Sequence, residues 1–262
     1  GGMNANRVAS FDPLANSWSA LGTGSNNGVG GGIVHVLAIL GSEVYVGGTF
    51  ALAGGLNGMN ANRVAKFNST TNSWSILGTS NSYGVSGSVD ALIAIGSEVY
   101  VGGNFNTAGE VTVNSLARYS SPTNTWHRVG NGNGVNGEVR ALAVDGQDNI
   151  YVGGYFTQAG NLRANRVARF NTATNTWSAL GTESNNGVSG NLNNTYVSAL
   201  AVLGSDLYVG GQFLSAGGVT ANNIARFNLT TNTWSALPGN GVYGTGLVFV
   251  SALASIGNDL YV

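Results

Sequence analysis

Hydrophobic and polar residues alternate over short stretches of the chain, and four such stretches recur in the same order along its whole length. Each stretch contains β-branched or aromatic residues and is bounded by clusters of Gly, Asn and Ser, which is typical of β-strands. No window carries the apolar period of about 3.6 residues over the length of a helix. The pattern predicts an all-β fold built from repeated units of four short strands.

The repeated unit is defined by one motif for each strand. The four motifs read Val-x-Ala-Leu-Ala, x-Val-Tyr-Val-Gly-Gly, Arg-Val-Ala-x-Phe and Thr-Trp-Ser-Ala-Leu. The tryptophan of the last motif recurs at Trp18, Trp74, Trp126, Trp177 and Trp234. The Tyr-Val pair of the second motif recurs at Tyr45, Tyr100, Tyr151, Tyr208 and Tyr261. Five copies therefore fill the chain, which predicts a single domain over residues 1–262.

Units of this size and strand number are typical of β-propeller blades. One such sheet cannot bury both of its faces, so we expect each unit to be covered by its neighbours, with the recurring tryptophans wedged between units. The chain begins with the third and fourth strands of a unit and ends with the first and second. This arrangement predicts five four-stranded blades, the last closed by strands from both termini.

The two ends also support a rival architecture. If Val262 were joined to Gly1, Tyr261 and Phe11 would be 12 residues apart, whereas Tyr208 and Phe227 are 19 residues apart. Seven residues of the cycle are thus missing. The alternative is that the chain is a segment of a longer polypeptide and part of a propeller with six to eight blades.

In each complete unit Gly-Gly is followed by an aromatic residue, and a tryptophan lies seven positions after that residue, as in Phe67 to Trp74 and Tyr119 to Trp126. This spacing resembles the kelch repeat. The fuller string Tyr-Val-Gly-Gly-x-Phe-x-x-Ala-Gly looks like repeats of secreted or cell-surface bacterial proteins; it occurs at 45–54, 100–109, 151–160 and 208–217. The resemblance implies a propeller. It implies little about activity, because propellers host many unrelated functions.

Loop lengths indicate where a ligand would bind. The third-to-fourth connection is constant, whereas the fourth-to-first connection varies, with Trp-to-Leu distances from 16 to 23 residues. The second-to-third connection also varies, and in a propeller both variable connections lie on one face. Variable loops on a rigid scaffold are the usual place for binding. Three loop aromatics, Tyr83, Tyr196 and Tyr243, are candidates for stacking on a sugar or on a protein partner.

A second set of candidates comes from the first strand, which lines the channel of a propeller. Its second position changes in every copy except one pair and is occupied by His35, Asp90, Arg140, Ser198 and Ser251. These residues predict a polar ring at the channel mouth, which either holds a small ligand or is a solvated lining. Only Asp90 is acidic, whereas propeller glycosidases use two or three carboxylates. A catalytic triad does not follow from the presence of His, Asp and Ser alone. We therefore predict no catalytic residue.

The charge and composition of the chain argue against several classes of partner. The chain has 10 Lys and Arg against 11 Asp and Glu, and charged residues make up only 8%. Without a basic excess, neither nucleic acid nor an anionic membrane surface is expected as a partner. No apolar stretch approaches the roughly 18 residues of a membrane helix, and there is no cysteine. We predict no cofactor and no metal. The run from Asp145 to Asn149 has oxygen ligands at short spacing, but a hairpin one residue longer explains it better than a Ca²⁺ site does.

Two recurring features have structural explanations at this stage. An acidic residue precedes the second strand at Glu43, Glu98, Asp206 and Asp259, which predicts hairpin geometry or protection of a sheet edge. Asn-x-Ser/Thr sequences at Asn68, Asn193 and Asn228 are expected by chance in a chain so rich in Asn and Thr. The low charge and the Asn, Thr, Ser and Gly content favour an extracellular or cell-surface location.

Two hypotheses for function follow. The first is a non-catalytic structural or adhesive binding module of a secreted or cell-surface protein, which binds a protein partner or copies of itself. The alternative is a carbohydrate-binding, lectin-like propeller that uses the variable-loop face. A hydrolase or an oxidase is less favoured, because the candidate channel positions contain no acidic cluster.

Overall fold

The computed structural model describes residues 4–79, 81–182, 184–190, 194–245 and 247–262, so Asn193 and its sequon lie outside the described residues. The chain divides into two compact units, Gly1–Arg128 and Val129–Val262, called unit 1 and unit 2 below. The organisation of residues 1–262 as a single domain stays a prediction.

Each unit contains two four-stranded antiparallel sheets whose strands are adjacent in chain order. Unit 1 holds the first sheet, with strands Val34–Leu40, Glu43–Gly48, Val64–Asn68 and Ser73–Ile76, and the second sheet, with strands Ser88–Ile95, Glu98–Asn104, Leu116–Ser120 and Thr125–Arg128. Unit 2 holds the third sheet, with strands Val139–Val144, Asn149–Gly154, Val167–Asn171 and Thr176–Ala179, and the fourth sheet, with strands Tyr196–Leu203, Asp206–Gln212, Ile224–Asn228 and Thr233–Ala236. The four predicted strands of the repeat are therefore confirmed in these sheets.

The remaining strands are short. A hairpin of Ala9–Asp12 and Ser17–Ala20 belongs to unit 1, and a hairpin of Ala254–Ile256 and Asp259–Tyr261 belongs to unit 2. Two-residue strands occupy the connections: Gly22–Thr23, Asn26–Asn27, Val29–Gly30, Leu52–Ala53, Met59–Asn60, Gly78–Thr79, Ser82–Tyr83, Thr107–Ala108, Val111–Thr112, Gln158–Ala159, Leu162–Arg163, Gly181–Thr182, Asn185–Asn186, Val188–Ser189, Ser215–Ala216 and Val219–Thr220.

The only helical element among the described residues is the 3₁₀ turn Pro238–Asn240, so the all-β prediction is confirmed. No helix in the described ranges is long and apolar enough to cross a membrane. The number of blades, and closure of the last blade by strands from both termini, stay predictions.

One hydrophobic cluster of each unit lies between its two sheets. In unit 1, fully buried Tyr45 of the first sheet packs near fully buried Tyr119 of the second, with ring centroids 6.2 Å apart. In unit 2, Tyr151 and Val167 of the third sheet share a cluster with residues of the fourth, including Leu207. Adjacent sheets thus cover each other within each unit, as the repeat predicts.

The tryptophans connect successive repeats. In each of three buried cases, the indole Nε1 donates to a backbone carbonyl of the preceding repeat. The three bonds are Trp74 to Leu21 at 2.8 Å, Trp126 to Leu77 at 3.2 Å and Trp234 to Leu180 at 2.9 Å. The predicted wedge role is confirmed for these residues, because a side chain with both its ring and its nitrogen engaged is not available to a ligand.

The constant third-to-fourth hairpin is organised by an asparagine. Asn68 Oδ1 accepts hydrogen bonds from the backbone nitrogens of Thr70 and Thr71, and its Nδ2 donates to Glu43 Oε1 at 3.0 Å. Asn228 makes the same set of bonds with its own hairpin and with Asp206. These two sequon asparagines therefore shape a turn, and both amide nitrogens are engaged in the folded chain.

The recurring acid before the second strand also has a structural partner. Glu43 lies 3.4 Å from Lys66 Nζ of the adjacent third strand, and Asp206 lies 3.5 Å from Arg226 Nη1. Each acid thus supports the pairing of the two central strands and the turn asparagine, which agrees with the hairpin role predicted from its recurrence.

Candidate functional site

Four of the five predicted channel residues occupy β-bulges. The pairing of the first and second strands shifts register between Val34 and Val36, so His35 is the extra residue there. The same shift leaves one extra residue in each of the other three sheets. The bulged residues are His35, Asp90, Arg140 and Ser198. A bulge bends its strand and changes the direction of the side chain, so these four side chains point differently from their neighbours on the regular part of the strand.

The Gly-Gly of the second strand makes the bulge possible. A Cβ added to Gly154 would lie 1.9 Å from the carbonyl oxygen of Glu138, and one added to Gly211 would lie 2.1 Å from that of Tyr196. Only glycine allows the first strand to approach so closely. The motif that identifies the repeat therefore also positions the candidate side chains.

The two variable connections lie side by side within each unit. Val29 of a fourth-to-first connection pairs with Ala53 of a second-to-third connection, and Val188 pairs with Ala216 in the same way. Both valines are fully buried. The valines belong to Gly-Val-x-Gly stretches at residues 28–31 and 187–190, which are therefore part of the scaffold and bring the variable loops to one edge of the sheets.

In unit 1 the bulge residues of successive sheets meet. His35 Nδ1 lies 2.7 Å from Asp90 Oδ1, and Ser88 Oγ donates to Asp90 Oδ2 at 2.9 Å. The serine thus contacts the carboxylate and not the imidazole. In a nucleophilic triad the serine must donate to the histidine, so this arrangement does not activate Ser88. The chain of three side chains instead fixes a polar, partly exposed surface.

In unit 2 the bulge residue Arg140 forms a different group. Its Nε donates to Glu138 Oε1 at 3.1 Å, and its Cζ lies 4.6 Å from the ring centroid of Tyr155 and 4.9 Å from that of Tyr196. These distances are those of cation–π contacts. Burial raises the pKa of Tyr196, with a further increase from Tyr155 and a decrease from Arg140. We call Glu138, Arg140, Tyr155 and Tyr196 the arginine cluster.

The other predicted residues take separate positions. Ser198 Oγ donates to the carbonyl of Val250, and Ser251 is exposed. Tyr83 pairs with Gly78 in a short hairpin and is half-buried. Tyr243 is 65% exposed and lines a cavity of about 260 Å³ in unit 2. A ring that includes all five channel positions stays a prediction, since these positions are divided between the two units.

Comparison with known families agrees with the repeat. The profile of the KLHDC2/KLHL20/DRC7 Kelch-repeats domain matches residues 35–262, which is most of the chain. The chain belongs to this Kelch-repeat family. Kelch repeats form β-propellers, and their domains generally mediate protein–protein interaction and are typically non-enzymatic scaffolds. The comparison with curated proteins gave no match.

Two residues of the candidate site of this Kelch chain were not predicted from the sequence. Tyr155 belongs to the arginine cluster, and Gln212 lines the cavity beside Tyr243. Both occupy the variable position of Tyr-Val-Gly-Gly-x-Phe, where Thr49 and Asn104 stand in the other copies. Variation within an otherwise constant motif is the signal that could have identified them, as it identified the bulge residues.

The Asp145 hairpin of the Kelch chain uses its oxygens internally. Asp145 Oδ1 accepts from the nitrogen of Gln147, and Oδ2 accepts from Asn149 Nδ2 at 2.8 Å and from the Tyr151 hydroxyl at 3.1 Å. Within the described ranges no three His, Cys, Asp or Glu residues cluster as metal ligands would. The hairpin interpretation explains every contact of this carboxylate that the structure shows.

Proposed function

We propose that the chain is a non-catalytic Kelch module that binds a protein partner through the loop face of unit 2, with the arginine cluster as the anchor. The observation that carries the proposal is Arg140 held against the rings of both Tyr155 and Tyr196, whose centroids lie 4.9 Å apart. Arginine and tyrosine are enriched among the residues that dominate binding energy at protein interfaces.

The arginine cluster has the properties of such an anchor. The side chain of Arg140 is 35% exposed, and contacts to Glu138 and two rings fix it before a partner arrives. Within the described part of the chain, neither Nη atom of Arg140 makes a hydrogen bond, so both can donate to a partner. Fixing a flexible side chain in advance reduces the entropy lost on binding.

The location of the module is part of the same proposal. The low charge of the chain and the repeated Tyr-Val-Gly-Gly string support a secreted or cell-surface bacterial protein with an adhesive role. Self-association is a second form of the proposal. Leu37 and Ile39 of the first strand of the first sheet are 49% and 71% exposed, and apolar strand residues of this kind favour contact with another repeat.

The test is affinity measurement with matched arginine variants. The immobilised chain is used to isolate a partner from surface proteins of the source cells, and the purified partner is then titrated against wild type, Arg140→Ala and Arg163→Ala. Arg163 is an exposed arginine of the same unit outside the cluster. We expect Arg140→Ala to weaken binding by roughly 30-fold, since a hot-spot side chain contributes about 2 kcal/mol.

Two results would count against this assignment. Equal affinity of Arg140→Ala and wild type would remove the arginine cluster as the anchor. An equal loss in Arg163→Ala would indicate a general charge effect instead of a site. Analytical ultracentrifugation of the wild type and of Leu37→Ser, run in parallel, shows whether the partner is a second copy of the chain.

A further inference from the structure

We infer that the cavity of unit 2 beside Tyr243 is a binding site for a neutral sugar ring. This pocket, called the amide pocket below, is open to solvent and adjoins the end of the second strand of the fourth sheet. The residues that carry the argument are Asn194, Gln212, Asn222, Tyr243 and Leu247. The inference is independent of the arginine cluster.

The polar groups of the amide pocket are uncharged and available. Within the residues that the structure describes, the side chains of Asn194 and Gln212 make no hydrogen bond. Asn222 Nδ2 donates to the carbonyl of Asn240, which leaves its Oδ1 as an acceptor. An amide side chain both donates and accepts, and so does a sugar hydroxyl. Among the residues that the structure describes, no Asp, Glu, Lys, Arg or His lines the pocket, which favours a neutral ligand over a charged one.

The apolar groups complete a sugar-like surface. Tyr243 is 65% exposed and Leu247 is 73% exposed, although large apolar side chains are usually covered. The Tyr243 hydroxyl donates to the carbonyl of Gly239 at 2.7 Å, which holds the ring in place. A pyranose has a C–H face that packs on an aromatic ring and a rim of hydroxyls, so one aromatic beside several amides fits its two kinds of surface.

The floor of the pocket is rigid. Asn223 is buried, and its Oδ1 accepts from the nitrogen of Phe213 while its Nδ2 donates to the carbonyl of Val242 at 2.9 Å. This side chain therefore ties the loop that carries Tyr243 to the fourth sheet. The volume of about 260 Å³ lies just below the usual range for pockets of drug-sized ligands, so one sugar ring fits better than a long oligosaccharide.

The test is saturation-transfer NMR with a panel of free sugars. Glucose, galactose, mannose and N-acetylglucosamine represent neutral rings, and glucuronic acid is the charged counterpart. We expect at least one neutral sugar to bind with a millimolar Kd and to bind more tightly than glucuronic acid. Tyr243→Ala and Gln212→Ala should each raise that Kd by roughly fivefold or more, whereas Tyr243→Phe should change it less than about twofold.

Controls separate this site from other surfaces. Tyr83→Ala removes a loop tyrosine of unit 1 and should leave the Kd unchanged, and circular dichroism confirms that each variant is folded. The inference is wrong if no neutral sugar binds at concentrations of several tens of millimolar. It is also wrong if a bound sugar is unaffected by Tyr243→Ala and Gln212→Ala. Loss of sugar binding in Arg140→Ala alone would place the sugar at the arginine cluster and overturn the assignment.

Discussion

His35 Nδ1 lies 2.7 Å from Asp90 Oδ1, so the bulge residues of the first and second sheets are directly bonded. Their side chains are 31% and 19% exposed, and the nearby Ser88 donates to the second oxygen of the carboxylate. The bond therefore connects two successive repeats near the start of their first strands, at a position whose residue differs between most copies.

A double-mutant cycle measures the contribution of this bond. Because the pair is partly solvated, we expect a coupling free energy of about 0.5–1 kcal/mol between His35→Ala and Asp90→Ala. Asp90→Ala alone should cost more than His35→Ala, since it also leaves the Ser88 hydroxyl without its acceptor. The measurement is urea unfolding of the four proteins. Additive costs would show that the two side chains do not interact in solution.

Gly154 tests the origin of the bulge. An added Cβ would lie 1.9 Å from the Glu138 carbonyl oxygen, so Gly154→Ala must displace the strand that carries Arg140. We expect a loss of about 1–3 kcal/mol in the free energy of unfolding, the usual cost of overpacking. Gly244→Ala is the matched control, because among the described residues its Cβ would meet only Val248 Cγ2, at 3.4 Å. A Gly154→Ala protein as stable as this control would contradict the account of the Gly-Gly motif.

The strand pattern and the Trp spacing were sufficient to predict the four-stranded sheets and the buried tryptophans, because both follow from periodicity. The bulges were not predicted. Val34 pairs with Gly48 and Val36 pairs with Gly47, so the bulge is defined by contacts between two strands. The residue pattern along a single strand does not determine those contacts. The sequence marked the second position of the first strand as variable, and the register of the strands shows that this position is a β-bulge in four sheets.

The site was predicted in part. Arg140 and Tyr196 were named as candidates separately, yet their contact could not be inferred, since 56 positions separate them in the chain. Tyr155 lies neither in a variable loop nor in the first strand, so those two signals did not predict it. Its position directly after a constant Gly-Gly motif places it next to the bulge, and the signal for it is variation at one position inside an otherwise constant motif.

Trp126 tests the packing between repeats. Its indole is buried and donates to the Leu77 carbonyl, so Trp126→Ala leaves both a cavity and an unpaired acceptor. We expect a cost of about 3–5 kcal/mol in the free energy of unfolding. Trp18 is the control, because it is 48% exposed, and Trp18→Ala should cost less than about 1 kcal/mol. Similar costs for both variants would contradict the wedge role.

Trp177 differs from the other internal tryptophans. Its Nε1 is buried without a hydrogen-bond partner among the described residues, whereas Trp234 Nε1 donates to the Leu180 carbonyl at 2.9 Å. Phenylalanine keeps most of the ring and removes the nitrogen. Trp234→Phe should therefore cost about 1 kcal/mol more than Trp177→Phe, measured by urea unfolding of both proteins. A larger cost at Trp177 would mean that its indole nitrogen does have an acceptor in solution.

Tyr100 makes stability depend on alkaline pH. Burial raises the pKa of its hydroxyl from 10.0 to about 12, with Arg118 opposing the increase and Glu98 adding to it. The folded state therefore favours the neutral phenol more than the unfolded state does. This contribution to stability is fully present below pH 10 and is lost as the pH rises through about 12. The reason is that the tyrosine ionises at a lower pH in the unfolded chain than in the folded one, and this ionisation stabilises the unfolded state. Urea unfolding at a series of pH values should show a smaller alkaline loss of stability in Tyr100→Phe than in wild type. Ultraviolet titration of the phenolate provides the second measurement: a folded protein in which this tyrosine ionises near pH 10 would contradict the prediction.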